Sequence, residues 1–165
     1  MTSSTDRIEK KIVLKAPRSR VWRAISNAEE FGDWFCVDFK GKTFVRGQAV
    51  QGKITYPGYE HLVCEIVIER MEPERLLSWR WHPAAIDVAV DYSNEPTTLV
   101  VFELSDVDSG ALSGTSSATS SGTLLRIVES GFDSIPVARR VEAFRMNNDG
   151  WEEQMRNVEK HVVTP

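Results

Sequence analysis

The chain has little of what most often carries chemistry. Only three histidines and two cysteines occur in 165 residues. His61, His82 and His161 are too dispersed to form a ligand set, and Cys36 and Cys64 show no CxxC or Cys/His spacing, so we expect no metal site and no disulfide framework. Reduced thiols of this kind fit a cytosolic protein. There is no GxSxG elbow, no glycine-rich phosphate loop and no dinucleotide fingerprint, and neither cysteine has a recognisable partner for nucleophilic attack. We therefore expect no cofactor and read no oxidoreductase. Long apolar runs are also missing: Met1 to Arg7 is polar and leads into an amphipathic strand, so neither a signal peptide nor a membrane span is expected, and the location is read as cytoplasmic. A formal charge of −4 and a pI near 5.5 lack the basic surface that nucleic acid requires.

What is present is a long amphipathic ending. Val137, Val141, Phe144, Trp151, Met155, Val158 and Val162 recur at helical intervals, which predicts one helix of roughly seven turns with a single apolar stripe. Asn148 occupies a slot in that stripe where a core residue belongs, with Asn147 beside it and Gly150 close by. A polar break midway along a buried face suggests a space there that packed side chains do not fill.

Upstream, Ile8, Ile12 and Leu14 alternate with charged residues in a first strand that ends at Ala16-Pro17, and proline suits the first turn of a helix. Val21, Trp22 and Ile25 give that helix an apolar side. Asn27 followed by Glu30 reads as a capping box for a second short helix ending near Trp34-Phe35. The period then becomes two. Val50, Ile54 and Tyr56, then Cys64, Ile66 and Ile68, then Leu77, Trp79 and Trp81, then Val100, Phe102 and Leu104, and finally Leu125 and Ile127 alternate with polar residues, as strands of an antiparallel sheet with one wet face do. Pro83 to Thr97 and the Ser/Thr/Gly-rich Ser105 to Gly122 are read as irregular connections, the second as a long flexible hairpin loop. With no repeat and no linker, residues 1–165 form one α+β domain in which the sheet curls around the last helix.

Several motifs in this order resemble the START-like (SRPBCC) superfamily, in the branch named after the C-terminal domain of the activator of Hsp90 ATPase. They are Ala16-Pro17 followed by Val21-Trp22-Arg23-Ala24, Phe31 to Phe35, Glu72 to Trp79, Thr97 to Leu104, Glu129-Ser130-Gly131-Phe132 and Gly150-Trp151. The resemblance covers nearly the whole chain. It implies the helix-grip fold, a curved antiparallel sheet wrapped on a long C-terminal helix with two short helices after the first strand, as in START and Bet v 1-like proteins. It also implies a cavity between sheet and helix that in relatives holds an apolar or amphipathic small molecule. Eukaryotic Hsp90 activators carry a separate N-terminal domain that makes much of the chaperone contact, and this chain has no room for one, so an Hsp90-type partner is not expected.

Trp34, Phe35, Trp79, Trp81, Phe102, Phe144 and Trp151 are expected at the sheet–helix interface, where aromatic walls suit a flat apolar ligand and plain core packing is the rival reading. Glu129 follows Leu125 and Ile127 on one strand face, so its carboxylate should point inward. There it must find a partner, keep its proton or meet water in a cavity; bonded to Asn147, Asn148 or a backbone amide it would be structural. With Asn148 it completes the candidate ligand-binding set, and if the cavity is catalytic Glu129 is the natural general acid or base. His82 closes the Trp79-Trp81 strand, as a solvated strand end or at a cavity mouth. Arg139, Arg140, Arg145 and Arg156 among glutamates read as a solvated helix face, and Asp87, Asp91 and Tyr92 mark a loop able to cover one cavity end. The leading expectation is binding of a hydrophobic small molecule. A cyclase- or hydrolase-type enzyme using Glu129 and an Hsp90-type interaction module are the alternatives, and an open sheet leaves an edge through which a homodimer can form.

Overall fold

The computed structural model describes residues 5–107 and 122–163. The chain runs β1 (Arg7–Leu14), α1 (Arg18–Ser26), α2 (Ala28–Phe35), β2 (Val37–Asp38), β3 (Ala49–Ile54), β4 (Val63–Glu72), β5 (Leu76–Trp81), β6 (Thr98–Val107), β7 (Gly122–Ser130), a 3-10 turn (Phe132–Ser134) and α3 (Val137–Val163). All seven strands join one sheet in the order β1-β7-β6-β5-β4-β3-β2, every neighbouring pair antiparallel. A bulge between Ile68 and Arg70 breaks the β4–β5 register and adds to the bend of the sheet. With two short helices after β1 and one 27-residue helix at the end, this is the α+β helix grip expected from the sequence. The proposed loop from Ser105 to Gly122 is shorter at both ends, since β6 continues to Val107 and β7 starts at Gly122; the rest of it lies outside the described residues.

Strand alternation fixes the inner face. Ile66, Ile68, Leu77, Trp79, Val100, Phe102, Leu125 and Ile127 are all buried in the core. Phe31 of α2 joins them, with the rings of Trp34, Phe35, Phe39, Phe44, Trp79 and Phe102 at centroid distances of 4.6–6.5 Å. Such aromatic pairs add about 0.5–1.5 kcal/mol each beyond their burial. Tyr56 falls beyond the end of β3 and is exposed.

Only half of the anticipated capping box forms. Asn27 Oδ1 accepts the Glu30 backbone N–H at 3.0 Å, but the Asn27 N–H is already spent on the Arg23 carbonyl that ends α1. The Glu30 carboxylate is thereby free to turn outward to Arg20, Arg23 and His161.

The stripe of α3 is as predicted in its second half, where Trp151, Met155, Val158 and Val162 are buried. In the first half it is not. Val137 and Val141 are 77% and 79% exposed, and the buried residue is Ala143. The line facing the sheet drifts around the helix, running Ala143, Asn147, Trp151 at four-residue steps, as a straight helix over a twisted sheet requires. Val137, Val141 and Asn148 lie on the other flank. Gly131, at φ +104, makes the left-handed turn that carries the chain from β7 into the 3-10 turn and back under α3.

Candidate functional site

Parity along β7 sends Glu129 inward after Leu125 and Ile127, and its side chain is completely buried. Three elements supply its partners. Oε1 accepts the Trp151 indole N–H of α3 at 2.8 Å; Oε2 accepts the Trp81 indole N–H of β5 at 2.7 Å and the Thr98 hydroxyl of β6 at 2.6 Å. Asn147 Nδ2 of α3 stands 3.0 Å from both oxygens. All four donors are neutral. Burial pushes the Glu129 carboxyl above the ordinary carboxylate range, and the hydrogen bonds of Thr98, Trp81, Trp151 and Asn147 oppose it without cancelling it. Because each oxygen faces an indole, which can only donate, the arrangement is one built to receive hydrogen bonds.

Two recesses open beside this carboxyl. The larger, about 260 Å³, has Ile54, Leu62, Ile86 and Tyr92 among its walls; the smaller, about 90 Å³, is walled by Phe35, Gly150, Trp151 and Gln154. They share Trp81, Met146 and Asn147. A Cβ built on Gly150 would meet nothing within 4 Å, so the missing side chain leaves that space open. The segment 83–97 forms the outer wall of the larger recess and is fastened to α3 by Arg139. Its guanidinium binds Glu95 at 2.6 and 2.9 Å and the Pro83 carbonyl at 3.0 Å, and lies 4.7 Å over the Tyr92 ring. Arg139 therefore leaves the solvated face assigned to it from sequence. His82 lines the same recess, with Nε2 3.1 Å from the Glu95 carbonyl.

The space expected midway under α3 is filled. Trp79, Phe102 and Trp151 meet there with ring centroids 5.8–6.3 Å apart, and openness begins only at the rim. Of the residues singled out by sequence, Phe35, Trp81 and Trp151 line the recesses and Glu129 lies beneath them. Trp79 and Phe102 are fully buried and line neither. Trp34 packs between α1 and α2, its indole N–H donating to the Ala24 carbonyl at 2.8 Å, and Phe144 packs edge-on against Phe132. The Asn148 side chain makes no hydrogen bond among the described residues; its neighbour Asn147 takes the place assigned to it. Thr98 and Met146 were missed. Thr98 was readable, standing two residues before Val100 on the same strand face.

The largest open cleft, about 1080 Å³, lies elsewhere, between α1, α2 and the end of α3. Three of its basic residues converge on Glu30, which binds Arg23 at 3.0 Å, His161 Nε2 at 2.8 Å and Arg20. Burial pushes the Glu30 carboxyl up, but hydrogen bonds from His161 and Arg20 outweigh it and hold it below the ordinary range. Burial drives the Cys64 thiol up to about 12, which makes it a poor nucleophile. Among the described residues no cluster of His, Cys, Asp and Glu could hold a metal ion, and no helix is long and apolar enough to cross a membrane.

A curved sheet gripping one long helix, with recesses between the two, defines the helix-grip class of the SRPBCC superfamily. Within it, residues 15–162 match the family of activator of Hsp90 ATPase homolog 1-like proteins, and the chain belongs to that family. Solved structures share the fold at low identity. Protein MLL2253 from Mesorhizobium loti is 20% identical with a TM-score of 0.65, over 94% of this chain and 96% of that one. Protein Ms6760 from Mycobacterium smegmatis is 12% identical with a TM-score of 0.70, over 98% and 93%. DynU16, a protein in the dynemicin biosynthetic locus, is 17% identical with a TM-score of 0.64, over 96% of this chain and 48% of its own. No curated protein matches the sequence significantly.

Proposed function

We propose that the protein binds an apolar small molecule at the rim between sheet and last helix, in the joined recesses over Trp81, Met146 and Asn147. The carrying observation is the recess of about 260 Å³ with aromatic and aliphatic walls and a few polar groups among them, the make-up that ligand pockets share. Family membership supports it. An acid–base role for Glu129 has less support. Four donors occupy its oxygens, so substrate contact requires Asn147 to swing away.

A thermal-shift screen against fatty acids, sterols, polyketide aromatics and flavonoids tests the reading. A ligand that binds only the native state adds about 2.7 kcal/mol at a hundredfold excess over Kd. One chemical class should raise Tm, and Met146→Trp, which adds bulk at the wall the two recesses share, should reduce the rise. No shift across the panel, or a shift indifferent to Met146→Trp, sinks the proposal.

A further inference from the structure

We infer that the recess selects a ligand that donates a hydrogen bond, and that Glu129 enforces the selection without touching the ligand, by fixing which end of the Asn147 carboxamide faces the open space. This rests on the binding reading above and names the class of ligand: an apolar ring system bearing a hydroxyl or N–H group.

A carboxamide has two ends of nearly equal shape, one a donor and one an acceptor, and its hydrogen-bond partners decide which way it turns. Asn147 directs Nδ2 at both Glu129 oxygens. Oδ1 has no partner among the described residues, although Asn147 is half-buried and lines both recesses. The acceptor end is therefore the one left for a ligand. Glu129 is held in its turn by two indole N–H groups, which cannot reverse their role, so the order is passed from Trp81 and Trp151 through the carboxylate to the amide.

Most neighbouring donors of the larger recess are already used. Both indoles are spent on Glu129, and His82 Nε2 stands on the Glu95 carbonyl, which leaves Nδ1 of a neutral ring as an acceptor; Gln154, which lines only the smaller recess, spends one of its two N–H groups on the Phe35 carbonyl at 3.2 Å. The Tyr92 hydroxyl accepts the Asp87 N–H at 3.1 Å and keeps its own proton, but it stands at the outer wall. The inner end of the recess thus offers acceptors and apolar surface. A ligand that can only accept would set its oxygen against Oδ1 and lose water without gaining a bond.

The test compares 2-naphthol with 2-methoxynaphthalene, which share the rings and the oxygen and differ in the O–H donor and one methyl group, by calorimetric titration of the full chain. Naphthol should bind more tightly by roughly three- to tenfold, the range of one neutral hydrogen bond. In Asn147→Leu the ratio should fall to about one. In Glu129→Gln, whose amide can donate to Asn147 and let it turn, the ratio should fall or invert, while Glu129→Asp should keep it. Should Glu129→Gln not fold, the Asn147 side-chain amide protons of the wild type decide the point by NMR: slow exchange retained when naphthol binds supports the lock, and fast exchange overturns it. Equal affinities in the wild type overturn the selection and leave the binding reading standing. Failure of both probes, together with a silent ligand screen, removes the binding reading and this inference with it. A preference undiminished in folded Glu129→Gln overturns the part assigned to Glu129.

Discussion

Glu129 and Glu30 both tie α3 to the rest of the molecule, and they do it in opposite ways. Glu129 is wholly buried among neutral donors; Glu30 keeps 17% of its side chain exposed and faces two guanidinium groups and an imidazole. Their carboxyls are pushed in opposite directions, Glu129 up by burial and Glu30 down by its partners. The lesson concerns what each arrangement is for. Opposite charges near a surface make a serviceable clamp at the helix end. A carboxyl kept from water among neutral donors is an expensive way to hold a helix, and under the proposal above its place beside the recess is accounted for by the orientation it imposes on Asn147.

The contrast breaks most sharply on substitution. Glu129→Leu should leave two indole N–H groups and a hydroxyl buried without an acceptor and cost about 3–5 kcal/mol in denaturant unfolding, since each unsatisfied donor costs about 1–3 kcal/mol and such losses do not simply add. Glu30→Leu, whose cationic partners can return to water, should cost about 1 kcal/mol. Similar losses for the two would dissolve the distinction.

Stability against pH should separate them by sign. A carboxyl raised on folding binds its proton more tightly in the native state, so the Glu129 contribution is full at low pH and is lost as pH rises from the ordinary carboxylate range to its raised value. A carboxyl lowered on folding contributes above its unfolded value and loses that contribution as pH falls through its native one, which is the case of Glu30. Glu129→Gln should therefore flatten the stability profile above the ordinary range and Glu30→Gln below it. Both variants flattening the same limb would contradict the assignment.

The smallest difference should come with salt. At about 1 M the screening length shrinks to about 3 Å, so the stability gap between wild type and Glu30→Gln should narrow by a few tenths of a kcal/mol, while the gap to Glu129→Gln should hold. A salt-sensitive Glu129 gap would mean that a charge absent from its contacts acts on it.

Much of this contrast was legible in the sequence, with the partners of Glu129 legible only in part. Period-two alternation located β3 to β7, and the parity of Leu125 and Ile127 turned Glu129 inward. The same parity reaches Trp81 and Thr98, two of its four donors. Spacing left Asn148 and Asn147 both open as partners of Glu129 and did not single out Asn147. It differs from Asn148 by one step of 100° around a helix, and the choice between them follows from sheet twist, which local spacing does not carry. The Glu30 cluster was hidden for a related reason. Asn27–Glu30 spacing gave the cap correctly, but the other half of the box failed because the end of α1 claimed the Asn27 N–H first. Charge at helical spacing likewise concealed Arg139, whose partners Glu95, Pro83 and Tyr92 are distant in sequence.

The Arg139 clasp has a kinetic consequence. Because segment 83–97 walls the recess and Arg139 fastens it to the first turns of α3, a ligand bound there as proposed would have to wait, on that side, for the guanidinium to let go. Loosening the clasp quickens arrival and departure together, so dwell time can shorten while the equilibrium constant barely moves. Tightness and tenure are then set by different residues.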